Sequence, residues 1–180
     1  MIMKKIYQFQ PVGQAMLAYG VLLLVLFGAF VQNANAQTPK GGVTFMTTEQ
    51  AVENSPELNQ LLFGINPAVS ISSDGVGLRN VNAEEDVPVV AFCAPDAFNQ
   101  LYAGDDAFAS VVALCIQIKN GNEISNLDLA RLNGFDNLAY VSITFVYNEC
   151  GNELCLLPIV QNMIIGTMPV NVLYQLSIPE

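Results

Sequence analysis

Apolar and polar residues alternate with a period of two in three stretches of the chain. In VVALCIQI one side carries Val112, Leu114, Ile116 and Ile118; in AYVSITFVY it carries Val141, Ile143, Phe145 and Tyr147; in VNVLYQLSI it carries Val172, Tyr174, Leu176 and Ile178. The opposite sides are smaller or more polar: Ala113, Cys115 and Gln117, then Ser142 and Thr144, then Asn171, Gln175 and Ser177. Such alternation belongs to strands with one buried face and one that is open or lightly covered. A sheet covered on both faces would read as continuous apolar runs instead. With Leu114, Ile143 and Tyr174 as centres, the strands recur at intervals of 29 and 31 residues.

Helix-length segments separate them. VPVVAF predicts a preceding strand, and PDAFNQLYAGDDAF a helix with Pro95 and Asp96 at its start. NGNE (Asn120–Glu123) predicts a turn with Gly121 at positive φ, followed by a helix over ISNLDLARLNGFDNL. ELCLLPIVQNMIIGTM predicts a third, at least partly helical run. Upstream, SPELNQLLFG predicts a short helix capped by Ser55, with Pro56 in its first turn and Gly64 at its stop. AVSISSDGVGLRNV predicts a hairpin turning at Asp74-Gly75. Residues 37–48 read as a loose lead-in, and NAEED (Asn82–Asp86) as polar punctuation. Strands alternating with helical connections imply an α/β fold. The expected form is a mostly parallel sheet of strand–helix units of roughly 30 residues, with helices on one face. An ordinary open α/β sandwich is the alternative.

The first residues change the picture of where this domain begins. Lys4 and Lys5 precede an apolar run, Ala15–Val31, which ends near Ala34 and Ala36. That order fits a signal peptide over residues 1–36 cleaved before Gln37. An uncleaved anchor is the alternative, but the run is short for a span. The expected segments are then the signal (1–36), a lead-in with helix and hairpin (37–86), and the strand–helix units (87–180), the last two forming one domain. Cleavage leaves 180 − 36 = 144 residues, with four basic residues against sixteen acids, 4 − 16 = −12. Such a charge repels phosphate backbones and anionic lipid, so nucleic acid is not an expected partner, and with no second long apolar run after residue 36, no stable membrane insertion is expected once the signal is cleaved. The reading is an exported protein: periplasmic, cell-surface or secreted.

Chemistry is sparse. The chain has no histidine, which removes Ser-His and Cys-His nucleophiles and His-containing metal sites. Carboxylate pairs drawn from Glu84, Glu85, Asp86, Asp105 and Asp106 lie in turn-like contexts, and the chain has no tryptophan to hold a sugar. Neither Asp105-Asp106 nor NGNE has calcium-loop spacing. Gly75-Val76-Gly77 lacks the helix start and the lysine of a phosphate loop. No catalytic residue, metal or cofactor is expected.

Four cysteines in an exported chain point to disulfides. Cys150 and Cys155 flank GNEL, where Gly151 and Asn152 allow a tight reversal, so a strap closing that turn is expected. Pairing by proximity then leaves Cys93 with Cys115. A thiol-redox pair at the start of the following helix is the competing reading of Cys150 and Cys155.

ARLNGFDNLAYVSITF, with Leu138-x-x-Val141-x-Ile143 after a Leu/Phe run, resembles a leucine-rich-repeat unit. The resemblance covers residues 108–180 and implies stacked strand–helix units. It departs from the family at the loop asparagine, whose places fall on Gln117, Val146 and Ser177. The final VNVLYQLSIPE also resembles the last strand of small exported bacterial proteins of unknown function.

The polar strip Gln117, Ser142, Thr144 and Gln175, with Cys115 beneath a loop, is the candidate binding surface. Its uncharged character suits a peptide or protein partner. The expected function is therefore a non-enzymatic exported binding module. A structural component of an envelope assembly is the alternative, and an enzyme using carboxylates or a thiol pair is a further one.

Overall fold

Local chemistry sets the first elements. Thr47 and Gln50 form a reciprocal cap: the Gln50 backbone N–H donates to Thr47 Oγ1, and the Thr47 N–H donates to Gln50 Oε1, both at 3.3 Å. It starts α1 (Thr48–Glu53). Ser55 caps α2 (Pro56–Phe63) by accepting from the Leu58 N–H at 3.2 Å, and Pro56 occupies the first turn. In α2, Leu58 and Leu62 lie one turn apart and are both buried.

A computed structural model describes residues 42–53, 55–79, 86–148, 151–152 and 155–178, all within one compact unit, Thr38–Glu180. The expected signal segment, 1–36, lies outside the described residues. Among the described residues no helix is long and apolar enough to cross a membrane.

The strands are β1 (Thr44–Thr47), β2 (Ala68–Ser72), β3 (Gly75–Arg79), β4 (Val90–Cys93), β5 (Ala113–Ile118), β6 (Leu127–Asp128), β7 (Tyr140–Phe145), β8 (Ile164–Ile165) and β9 (Asn171–Leu176). Seven form one sheet in the order β1-β9-β7-β5-β4-β2-β3, parallel except for β3, which turns back on β2 as the predicted hairpin. The protein is thus α/β with a mostly parallel sheet. Strands β2, β4, β5, β7 and β9 lie side by side in chain order. β6 and β8, from successive connections, make a separate two-stranded parallel pair.

Register places Val69 beside Ala91, Ala91 beside Leu114, Leu114 beside Val141, and Val141 beside Val172. Those partners are 22, 23, 27 and 31 residues apart. The expected 29-residue step is corrected: Ile143 pairs with Ile116, not Leu114. Alternation alone fixes the face of a strand but not its slide by two residues.

The predicted apolar face is the core except at its last position, Ile178, which lies beyond the end of β9 and is exposed. Leu114, Ile116, Ile118, Val141, Ile143, Phe145, Val172 and Tyr174 are all buried on it, joined by Val69, Ile71, Ala91 and Cys93. Against them pack α3 (Phe98–Ala103) through Phe98 and Leu101, and α4 (Leu156–Met163) through Leu156, Val160 and Met163. Phe108 stacks on Phe135 beneath the connections, ring centroids 4.6 Å apart.

Three expectations fail here, each for a physical reason. The lead-in is not loose throughout: Thr44–Thr47 pairs in parallel with β9 and buries Phe45, completing the sheet edge. The segment ISNLDLARLNGFDNL is not a helix but β6 followed by a 3-10 turn at Leu129–Arg131. Its polar groups satisfy loop backbone instead. Asp128 Oδ1 accepts from the Ala130 N–H at 3.0 Å, while Asn133 and Asn137 side chains donate to the Ala103 and Ala109 carbonyls at 3.1 and 2.7 Å. Buried Leu127 and Leu129 are two apart, an extended rather than helical spacing. Finally, the helices do not all lie on one face. α2 sits on the opposite side, packing Leu58 and Leu62 against Ala113 and Leu173.

Candidate functional site

The second face of the sheet is therefore half covered. Its rows follow from register: Ala68, Val90, Ala113 and Tyr140; then Ser70, Phe92, Cys115, Ser142 and Leu173; then Gln117, Thr144 and Gln175. Helix α2 covers the starts of the strands through Leu58 and Leu62. Beyond its last turn the later rows form the floor of a cleft of about 770 Å³. The strip chosen from parity, Gln117, Ser142, Thr144 and Gln175, comes together there in full. Gln175 Nε2 donates to Thr144 Oγ1 at 3.0 Å, fixing two of the four to each other across β7 and β9.

Several lining residues were not read from the sequence. Ser70 and Ser72 extend the hydroxyl floor onto β2, and Leu62 and Phe63 form the roof at the end of α2. Phe92 stands in the middle row and is 41% exposed, and Phe63 is 57% exposed. Arg79 and Lys119 are the basic lining residues, Asp96 and Glu123 the acidic ones. The same period-two reading applied to AVSIS and VAFC places Ser70, Ser72 and Phe92 on this face. The roof and the charged rim had no such signal, because they depend on how α2 and the strand ends are placed.

The two cysteines of the neighbouring strands are both free, so the expected Cys93–Cys115 disulfide is corrected. Register explains it. Cys115 pairs with Phe92, one residue before Cys93, so the two side chains leave opposite faces of the sheet. Cys93 points into the core; Cys115 lies under the cleft, against the cluster around α2. Burial pushes the Cys93 thiol up to about 12, with Asp96 adding to the shift, and burial pushes Cys115 up to about 12 as well. The Cys93 S–H donates to the Ala94 carbonyl at 3.3 Å. Both are protonated at neutral pH and poor nucleophiles.

These shifts set a pH dependence. Each thiol ionises more readily in the unfolded chain, near 9.0, than in the native one, near 12. Stability is therefore at its full value below pH 9 and falls as pH rises from 9 towards 12. Denaturant midpoints measured across that window should decline, and the decline should shrink in Cys93→Ala/Cys115→Ala. Native alkylation at pH 8 should label neither residue, whereas denaturant should expose both.

Of the expected strap, Cys155 is disulfide-bonded and precedes α4, while Cys150 lies outside the described residues. Gly151 does take the reversing conformation, φ +82°, and its N–H donates to Asn148 Oδ1 at 2.6 Å. Gly121 does not take the expected positive φ; it opens a 3-10 turn, and Asn120 Oδ1 accepts from the Asn122 N–H at 3.0 Å.

Of the carboxylates weighed for chemistry, Asp105 and Glu123 are engaged in local turns. Asp105 caps a 3-10 turn by accepting from the Ala107 N–H at 2.9 Å. Glu123 accepts from the Lys119 N–H at 2.7 Å and from Asn120 Nδ2 at 2.9 Å. Glu84 and Glu85 lie outside the described residues. Among the described residues, no three His, Cys, Asp or Glu side chains come together as a metal site. Comparison of the chain with protein-family models, with curated proteins and with solved structures found no match. The functional reading therefore rests on the geometry of the cleft.

Proposed function

We propose that the chain is an exported, non-enzymatic binding module whose polar sheet face takes a peptide or protein partner. One observation carries this reading: Gln117, Ser142, Thr144 and Gln175, from three parallel strands, line a single cleft. Hydroxyls and carboxamides both donate and accept hydrogen bonds, the property needed to pair with polypeptide backbone. The thiol beside them is held protonated, and Glu123 is occupied by backbone and side-chain donors. That chemistry suits recognition better than catalysis.

The leucine-rich-repeat-like reading supports the same conclusion. Five parallel strands follow one another in chain order at steps of 22, 23, 27 and 31 residues. The β6–β8 pairing stacks one connection on the next, as expected of neighbouring units in a solenoid. Solenoids bind partners along extended faces of this kind. In this reading the Cys150–Cys155 bond is a strap on the turn that launches α4, and the signal at 1–36 delivers the protein to its partner outside the cytoplasm.

Capture from a native envelope fraction tests the proposal. Thr144→Glu places a bulky negative charge in the cleft, of the same sign as the domain around it. It should reduce recovery of the partner about tenfold relative to the unaltered chain. Equal recovery, with unchanged thermal unfolding, would remove the sheet face from the binding role.

A further inference from the structure

The cleft's charge stands apart from that of the domain around it. Eleven acidic and three basic residues lie among the described residues. Two of those three cations, Arg79 and Lys119, line the cleft, against two of the eleven acids, Asp96 and Glu123. The third cation, Arg131, is engaged elsewhere, over the Tyr102 ring at 4.1 Å from its centroid. Of the two acids, Glu123 already accepts from the Lys119 N–H and from Asn120 Nδ2. The cleft lining is thus formally balanced, 2 − 2 = 0, on an otherwise strongly acidic domain, and holds two of that domain's three described cations.

Arg79 and Lys119 belong to the same side of the sheet as the polar strip. Arg79 pairs with Ala68, which shares its face with Ser70, and Lys119 continues the parity of Cys115 and Gln117. They stand at opposite ends of that face, six residues apart in strand level, or about 20 Å at the usual strand rise, and three strands apart laterally. An extended segment of about seven residues spans both.

The floor between them is low. On β3 the residues that share this face are Gly75 and Gly77, paired with Ser72 and Ser70. A Cβ at either glycine would meet nothing within 4 Å. Exposed Phe63 and Phe92 supply apolar contact above this floor.

From these features we infer that the cleft takes an extended peptide segment carrying acidic side chains beside apolar ones. Its carboxylates meet Arg79 and Lys119, its apolar side chains meet Phe63 and Phe92, and its backbone lies over the serine, threonine and glutamine floor. This inference rests on the reading of the cleft as a binding site and adds the chemistry of its occupant. A nucleic acid, the other polyanion, would have to approach against the charge of the whole domain.

The test uses fluorescence anisotropy with the purified exported chain and three dye-labelled nonapeptides. One is three serine–leucine–glutamate repeats; in the others lysine or glutamine replaces glutamate. The glutamate peptide should bind at least about tenfold more tightly than the lysine peptide, and added salt should narrow the difference. The double reversal Arg79→Glu/Lys119→Glu should invert the order. Equal binding of all three peptides, unchanged by the reversal, would overturn the acidic preference while leaving the cleft a peptide site. Binding of none would overturn both.

Discussion

Phe145→Ala should destabilise the domain by about 3–5 kcal/mol, the usual cost of emptying a buried phenylalanine site. Phe145 is fully buried at the end of β7. It pairs with Ile118 on one side and Leu176 on the other, and its ring lies 6.2 Å from that of Tyr147. The sheet holds its backbone on both sides, so neighbouring strands cannot move inward to fill the space. A domain of this size has only about 5–15 kcal/mol in total. The variant should therefore unfold at a much lower denaturant midpoint, with its slope against denaturant unchanged. A loss below about 1 kcal/mol would show that this end of the sheet is loosely packed.

Gly166→Ala should cost nearly as much by a different route. Gly166 follows β8 with φ +75°, a conformation that costs an L-residue roughly 1–2 kcal/mol. The added Cβ would also lie 2.5 Å from Asp128 Oδ1 and 2.8 Å from the Ala130 nitrogen. Those two atoms are joined by the hydrogen bond that caps the 3-10 turn after β6. The methyl group must displace that cap, and crowding of this kind adds roughly 1–3 kcal/mol. A combined loss of about 2–5 kcal/mol is expected in chemical denaturation. Gly77→Ala is the control: its Cβ has open space and its φ is not positive, so it should be close to neutral.

These two sites show what the sequence made legible. Phe145 could be placed in advance, because period-two alternation assigns it to the face of Val141 and Ile143 whatever the strand's neighbours are. The α2 cap, the β2–β3 hairpin and the polar strip were legible on the same local grounds, although Ser72 pairs with Gly75 and the hairpin turns at Ser73-Asp74, one residue before the expected place. Gly166 was not, since the need for a bare Cα arises from Asp128 and Ala130, more than thirty residues away in the chain. The β6 segment was misread because its leucines also fit a helical spacing, and only the capping roles of Asp128, Asn133 and Asn137 decide against it. The Cys93–Cys115 bond failed on a single-residue offset between β4 and β5. The charged rim of the cleft required knowing where β3 ends and where Lys119 leaves β5.

We propose that the polar sheet face, and not another surface, meets the partner. Site-specific photo-crosslinking in the native host tests it most directly. A benzophenone amino acid at Gln117, on the cleft floor, should give a discrete higher-mass adduct on irradiation. The same probe at Ile65, 86% exposed and outside the cleft lining, should give none. Adducts at Ile65 but not at Gln117, or at neither position, would contradict the claim.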